Sequence, residues 1–127
     1  MTKKDNSRKK ILFVDDDDIL REAYCAILEK KGFDVTAVHD GSYVKGALNK
    51  KKFDAVITDI VMPNKEGLET IKDIREIDKN VPILAISGGG RISPHNHLKL
   101  AKIMGASDAL YKPFDGDTLI SKINELL

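Results

Sequence analysis

Short hydrophobic runs alternate along this chain with longer stretches in which apolar residues recur every three or four positions. The runs Ile11-Leu12-Phe13-Val14, Ala55-Val56-Ile57-Thr58, Ile83-Leu84-Ala85-Ile86 and Ala109-Leu110-Tyr111 read as buried strands, and Val35 to Val38 as a further one. Between them lie helical patterns. Leu20, Ala23, Tyr24, Ile27 and Leu28 share one face of a helix that Gly32 stops. Gly41-Ser42 leads into a short helix through Val44, Ala47 and Leu48, and Gly67 to Lys79 repeats the period with Leu68, Ile71, Ile74 and Ile77. Leu98 to Met104 forms a helix closed by Gly105, and Asp115 to Leu127 supplies the last one. Strand and helix in alternation predict an α/β fold, a doubly wound five-stranded parallel sheet with helices on both faces and right-handed crossovers.

Four of the runs end abruptly on polar residues: Asp15-Asp16, Asp59, Ser87 and Lys112. Neighbouring parallel strands would bring these ends to one edge of the sheet, where open α/β folds bind their ligands. The row Asp15 to Asp18 precedes a helix, and one or two acids there would serve as a cap. Two carboxylates about 4 Å apart repel by roughly 4 kcal/mol at an effective dielectric of 20, and Asp59 at the same edge would add to that. A hard divalent cation relieves the repulsion, so the acids point to a magnesium site if Asp59 lies beside Asp15 and Asp16. Pro113 after Lys112 makes a restricted junction that would aim the amine. Gly88-Gly89-Gly90 after Ser87 is either a plain flexible loop or a place where backbone amides approach an oxyanion. His95 and His97, beside Pro94, read as residues of a polar loop, and no histidine, His39 included, is assigned a catalytic role.

Composition narrows the setting. The length of 127 residues suits one domain, and a net charge of +1 gives no overall attraction to nucleic acid or an anionic membrane. No apolar run reaches the ~20 residues of a membrane span. Cys25 is the single cysteine, which excludes an internal disulfide and suits a reducing cytoplasm. Residues 1–9, with Lys3, Lys4, Arg8 and Lys9, read as a flexible basic tail ahead of a domain at 10–127.

From Lys10 to Leu127 the chain resembles a response-regulator receiver domain of two-component signalling. The resemblance rests on Asp15-Asp16, on Asp59-Ile60-Val61-Met62-Pro63 with Gly67, on Ser87 and on Lys112-Pro113-Phe114, in the family's order and spacing. It implies the flavodoxin-like receiver fold with strand order 2-1-3-4-5 and five helices. It also implies that Asp59 is the phosphoacceptor, with Mg2+ held by Asp16, Asp15, Asp59 and the Val61 carbonyl. Ser87 and the Gly88 amide would hydrogen-bond the phosphoryl group and Lys112 would pair with its oxygens. The donor would be a phosphohistidine of a sensor histidine kinase or phosphotransfer protein, and the output a downstream protein target. A stand-alone switch or phosphorelay member is expected, with no fused output domain, no nucleic acid and no membrane contact.

Several positions depart from that pattern. Many receivers carry an aromatic residue where this chain has Ala109, so output is expected through an exposed Tyr111 and the helix from Asn96 to Met104. Lys65 and Glu66 replace the more usual apolar residue and aspartate of a kinase-recognition loop. Neither Val61 nor Gly89 offers a polar side chain to orient a water, which predicts slow self-dephosphorylation. Two rival readings are a phosphorylation-independent docking receiver and a haloacid-dehalogenase-type phosphatase with Asp15 as nucleophile.

Overall fold

Five parallel strands form one sheet in the order β2-β1-β3-β4-β5. The strands are β1 (Lys10–Val14), β2 (Asp34–Val38), β3 (Ala55–Asp59), β4 (Ile83–Ser87) and β5 (Asp108–Tyr111). This computed structural model describes residues 8–60, 67–87, 94–112 and 114–127. The tail expected at 1–9 therefore falls largely outside the described residues. Every residue of β3 and β4 is buried, as in a parallel strand covered on both faces, whereas the edge strand β2 is only partly buried.

The helices are α1 (Asp18–Lys30), α2 (Val44–Lys50), α3 (Gly67–Ile77), α4 (Pro94–Met104) and α5 (Gly116–Leu126), with a 3-10 turn at Gly41–Tyr43. Their starts follow from capping chemistry. Asp17 accepts from the Leu20 amide at 3.1 Å, Asp40 from the Ser42 amide at 2.8 Å and Asp115 from the Thr118 amide at 2.8 Å. Gly32, at φ +98°, ends α1 in a conformation that other residues rarely adopt.

Two boundaries differ from the sequence expectation. α3 stops at Ile77 rather than Lys79, because the Asp78 carboxylate accepts from the amides of Asn80 (2.9 Å) and Val81 (3.0 Å) and turns the chain. α4 begins at Pro94 rather than Leu98, so the backbone of His95 and His97 is helical and not loop. Proline is suited to the first helical position, where its missing N–H costs nothing.

Alternation along the strands sorts the core into two layers. Leu12, Val14, Val56, Ile83 and Ala85 pack with Val44 of α2, Ile71 and Ile74 of α3 and Ala101 of α4. Ile11, Phe13, Ile57, Leu84 and Ile86 pack on the opposite face with Tyr24 and Leu28 of α1 and Leu119 and Ile123 of α5. A polar clamp joins the far ends of α3 and α4. The Arg75 guanidinium donates to the carbonyls of Gly105 (2.7 and 3.0 Å), Val81 (2.7 Å) and Asp78 (3.2 Å).

Candidate functional site

The parallel register brings the carboxyl ends of β1, β3, β4 and β5 to one edge. Val14 pairs with Thr58, Asp59 with Ile86 and Ser87 with Tyr111. Asp15 extends β1 by donating its amide to the Val38 carbonyl at 3.2 Å, and Lys112 extends β5 by donating its amide to the Ser87 carbonyl at 2.7 Å. Main-chain pairing thus fixes the starting points of four functional side chains that lie far apart in sequence.

At this edge Asp15 is fully buried, Asp59 is 5% exposed and Ser87 is 1% exposed. The Lys112 ammonium sits between the two acids, 2.9 Å from Asp59 Oδ2 and 3.0 Å from Asp15 Oδ2. The contact to Asp59 is an aligned hydrogen bond, while Asp15 Oδ2 has the charge contact without an aligned donor among the described residues. Asp15 Oδ1 accepts from the Asp17 amide at 3.0 Å. Asp16 lies exposed on the rim, yet carboxylate oxygens of Asp15, Asp16 and Asp59 all fall within 4.8 Å of one another.

Charge and burial compete at these groups. Burial alone would push the Lys112 ammonium down, but the hydrogen bond and charge of Asp59, with Asp15 behind them, hold it above the usual lysine range. Burial raises the Asp16 carboxyl, and repulsion from Asp15 and Asp17 adds to the rise. Three carboxylates against one ammonium leave an excess of two negative charges, which one divalent ion would match. The ligand atoms are all oxygens, and a buried carboxylate oxygen lacks an aligned donor among the described residues, so the residues fit a hard cation such as magnesium.

The structure therefore brings together Asp15, Asp16, Asp59 and Lys112 and places Ser87 at the same edge. Val61, Gly88, Gly89, Lys65, Glu66 and Pro113 lie outside the described residues. Sequence reasoning missed two supports. Arg21 donates to the Asp15 carbonyl at 2.8 Å and to Asp18 Oδ1 at 2.6 Å, and the buried Thr58 hydroxyl donates to the Asp59 carbonyl at 3.0 Å. Arg21 lies one helical turn after Asp18, a spacing that could have flagged it.

Comparison with known proteins agrees with the geometry. The model of the response regulator receiver domain matches residues 11–124. The sensor kinase/phosphatase CqsS of Vibrio cholerae is 36% identical over 123 residues, which are 94% of this chain and 18% of that protein. The CpxR homolog of Haemophilus influenzae, a transcriptional regulatory protein, is 36% identical over 118 residues, 93% of this chain and 50% of that protein. The chain thus spans half or less of the length of these curated relatives. Among solved structures, the chemotaxis response regulator CheY4 of Vibrio cholerae superposes with a TM-score of 0.85 at 31% identity, covering 95% of this chain and 100% of that one. The receiver domain of the Francisella response regulator 1452 gives 0.82 at 29% identity over 94% of this chain and 96% of that one.

Proposed function

This chain belongs to the response regulator receiver domains of two-component signal transduction, and on that premise we propose that Asp59 accepts a phosphoryl group from a phosphohistidine of a sensor histidine kinase or phosphotransfer protein. The observation that carries the reading is the placing of Asp59 Oδ2 at 2.9 Å from an ammonium inside a cluster of acids. In the transfer, a carboxylate oxygen of Asp59 attacks phosphorus and the phosphorus–nitrogen bond breaks. The bonding pair returns to the imidazole nitrogen, leaving an acyl phosphate on Asp59.

Phosphoryl transfer asks the protein mainly for alignment and charge neutralisation. Lys112 is already poised beside the acceptor and pairs with the phosphoryl oxygens once they arrive. The Ser87 hydroxyl and the Gly88 amide donate to the same group. Asp15, Asp16, Asp59 and the Val61 carbonyl would hold Mg2+, which supplies further positive charge against the transferring group. Drawing Ser87 and its loop toward the phosphate shifts a two-state equilibrium toward a form with altered affinity for a downstream protein. Ala109 packs half-buried against the core in place of an aromatic switch, and Tyr111 is 43% exposed, which supports output through the β5 surface and α4. We place this switch in the cytoplasm, with residues 10–127 as the working domain and no nucleic acid or membrane as partner. Among the described residues no helix is long and apolar enough to cross a membrane.

The test is incubation with acetyl phosphate and magnesium, followed by intact mass spectrometry of the wild type and Asp59→Ala. One phosphoryl mass on the wild type alone, absent without magnesium, is the expected result. An adduct that persists in Asp59→Ala would refute the assignment. Phosphorylation that leaves partner affinity unchanged would favour a pure docking role, for which the alanine at position 109 is the motive. An adduct on Asp15 would revive the phosphatase reading, which the family match does not favour.

A further inference from the structure

Three aromatic rings form a ladder behind the cluster of charges. Phe13 of β1 is fully buried and stands two residues before Asp15, while Phe114 stands two residues after Lys112. Tyr24 of α1, 7% exposed, lies between them. Its ring is 4.7 Å from that of Phe114 with planes at 22°, and 6.3 Å from that of Phe13 with planes at 26°. The Tyr24 hydroxyl donates to the Phe114 carbonyl at 2.8 Å across 90 residues of sequence.

We propose that Tyr24 is a positioning residue that sets where the Lys112 ammonium stands between Asp15 and Asp59. Packing alone does not account for the hydroxyl, because a phenylalanine would supply the same ring without a polar group to satisfy. Lys112 is anchored upstream by its amide on the Ser87 carbonyl, the last rung of β5. Immediately downstream comes a proline, which has no amide to donate. Among the described residues the next anchor is the Phe114 carbonyl, and Tyr24 holds it.

The same helix grips the other half of the ion pair. Arg21 and Tyr24 are three positions apart on α1 and so share a face. Arg21 donates to the Asp15 carbonyl at 2.8 Å, whereas Tyr24 donates to the segment that carries Lys112. One rigid turn of helix therefore holds both chain segments whose charges meet at 3.0 Å. The role in transfer rests on the acceptor assignment above; the placing of the ammonium does not.

Tyr24→Phe keeps the ring ladder and removes the donor. Two readouts test it. In nitrogen-15 spectra of the lysine ammonium groups, the Lys112 signal is assigned by its absence in Lys112→Met. Tyr24→Phe is expected to speed the exchange of that signal with water several-fold. With acetyl phosphate and magnesium, Tyr24→Phe is expected to slow phosphorylation about three- to tenfold, the equivalent of one net hydrogen bond. In a Lys112→Met background the same change should have no further effect, because Tyr24 acts through the amine. An unchanged ammonium signal, an unchanged rate, or an equal fractional loss in both backgrounds overturns the proposal. A wild type that takes up no phosphoryl group would instead overturn the acceptor assignment, and the ammonium spectra would still decide the role of Tyr24.

Discussion

Lys112→Met removes the ammonium but keeps most of the aliphatic stem, so its effect isolates charge. Asp15 and Asp59 are buried and each lies about 3 Å from the ammonium in the native state. Removing one partner of a buried ion pair costs about 3–5 kcal/mol, because the remaining charge stays desolvated. The Lys112 side chain retains 16% exposure, so water shares the neutralisation and the lower end, about 3 kcal/mol, is expected. For a domain of this size that is a fall in melting temperature of about 12 °C. The sign with pH follows from the raised Lys112 pKa. Its contribution is fully present below the unfolded lysine value of about 10.4 and is lost as pH rises through the higher folded value. The gap between wild type and variant should therefore hold across neutral pH and close in alkali. Magnesium should narrow it too, since the cation neutralises the same carboxylates. Calorimetry without magnesium at neutral pH is the assay. A variant melting within about 3 °C of wild type, well under the ~12 °C expected, would refute the claim that these acids depend on the ammonium.

Asp16→Asn should melt no lower than wild type without magnesium, and its magnesium-induced rise should shrink. Asp16 has a raised pKa, so its ionisation opposes folding as pH rises through that value; a clear loss of stability would contradict this. Gly105→Ala should lower the denaturation midpoint by about 2 kcal/mol's worth, because φ there is +125° and a Cβ would meet Arg75 at 3.0 Å. A midpoint unchanged in urea would show that the Arg75 clamp yields freely. Tyr111→Ala should weaken partner binding, measured by calorimetric titration, without slowing phosphorylation; equal loss of both would sink that surface. The acyl phosphate should outlast purification without a phosphatase, since neither Val61 nor Gly89 offers a water-orienting side chain. A lifetime of seconds by mass spectrometry would contradict it.

The sheet was legible because its central strands β1, β3 and β4 are buried on both faces and read as apolar runs, each ending where a polar residue marks the edge. Asp59, Asp15 and Lys112 were legible for the same reason: a strand end is a position in space as well as in sequence. α4 was misjudged at its start because Pro94 signals a loop and a first helical turn equally well. Asp78 ended α3 early through a side-chain bond that hydrophobic periodicity does not register. The Asp18–Arg21 pair could have been read from its spacing, but the reach of Arg21 to the Asp15 carbonyl and of the Tyr24 hydroxyl to the Phe114 carbonyl could not, because no sequence pattern announces which carbonyl a side chain will reach. Tyr24 was read only as core, which its ring is.

The strand order also sets a timetable. Asp15 and Asp16, which follow β1, and Asp59, which ends β3, leave the ribosome well before Lys112, which directly follows the last strand. Domains are made from the N-terminus onward. A partly synthesised chain therefore carries Asp15, Asp16 and Asp59 without the Lys112 ammonium that stands between Asp15 and Asp59 in the folded domain. The ion pairs of this edge therefore form only after the final strand has been made.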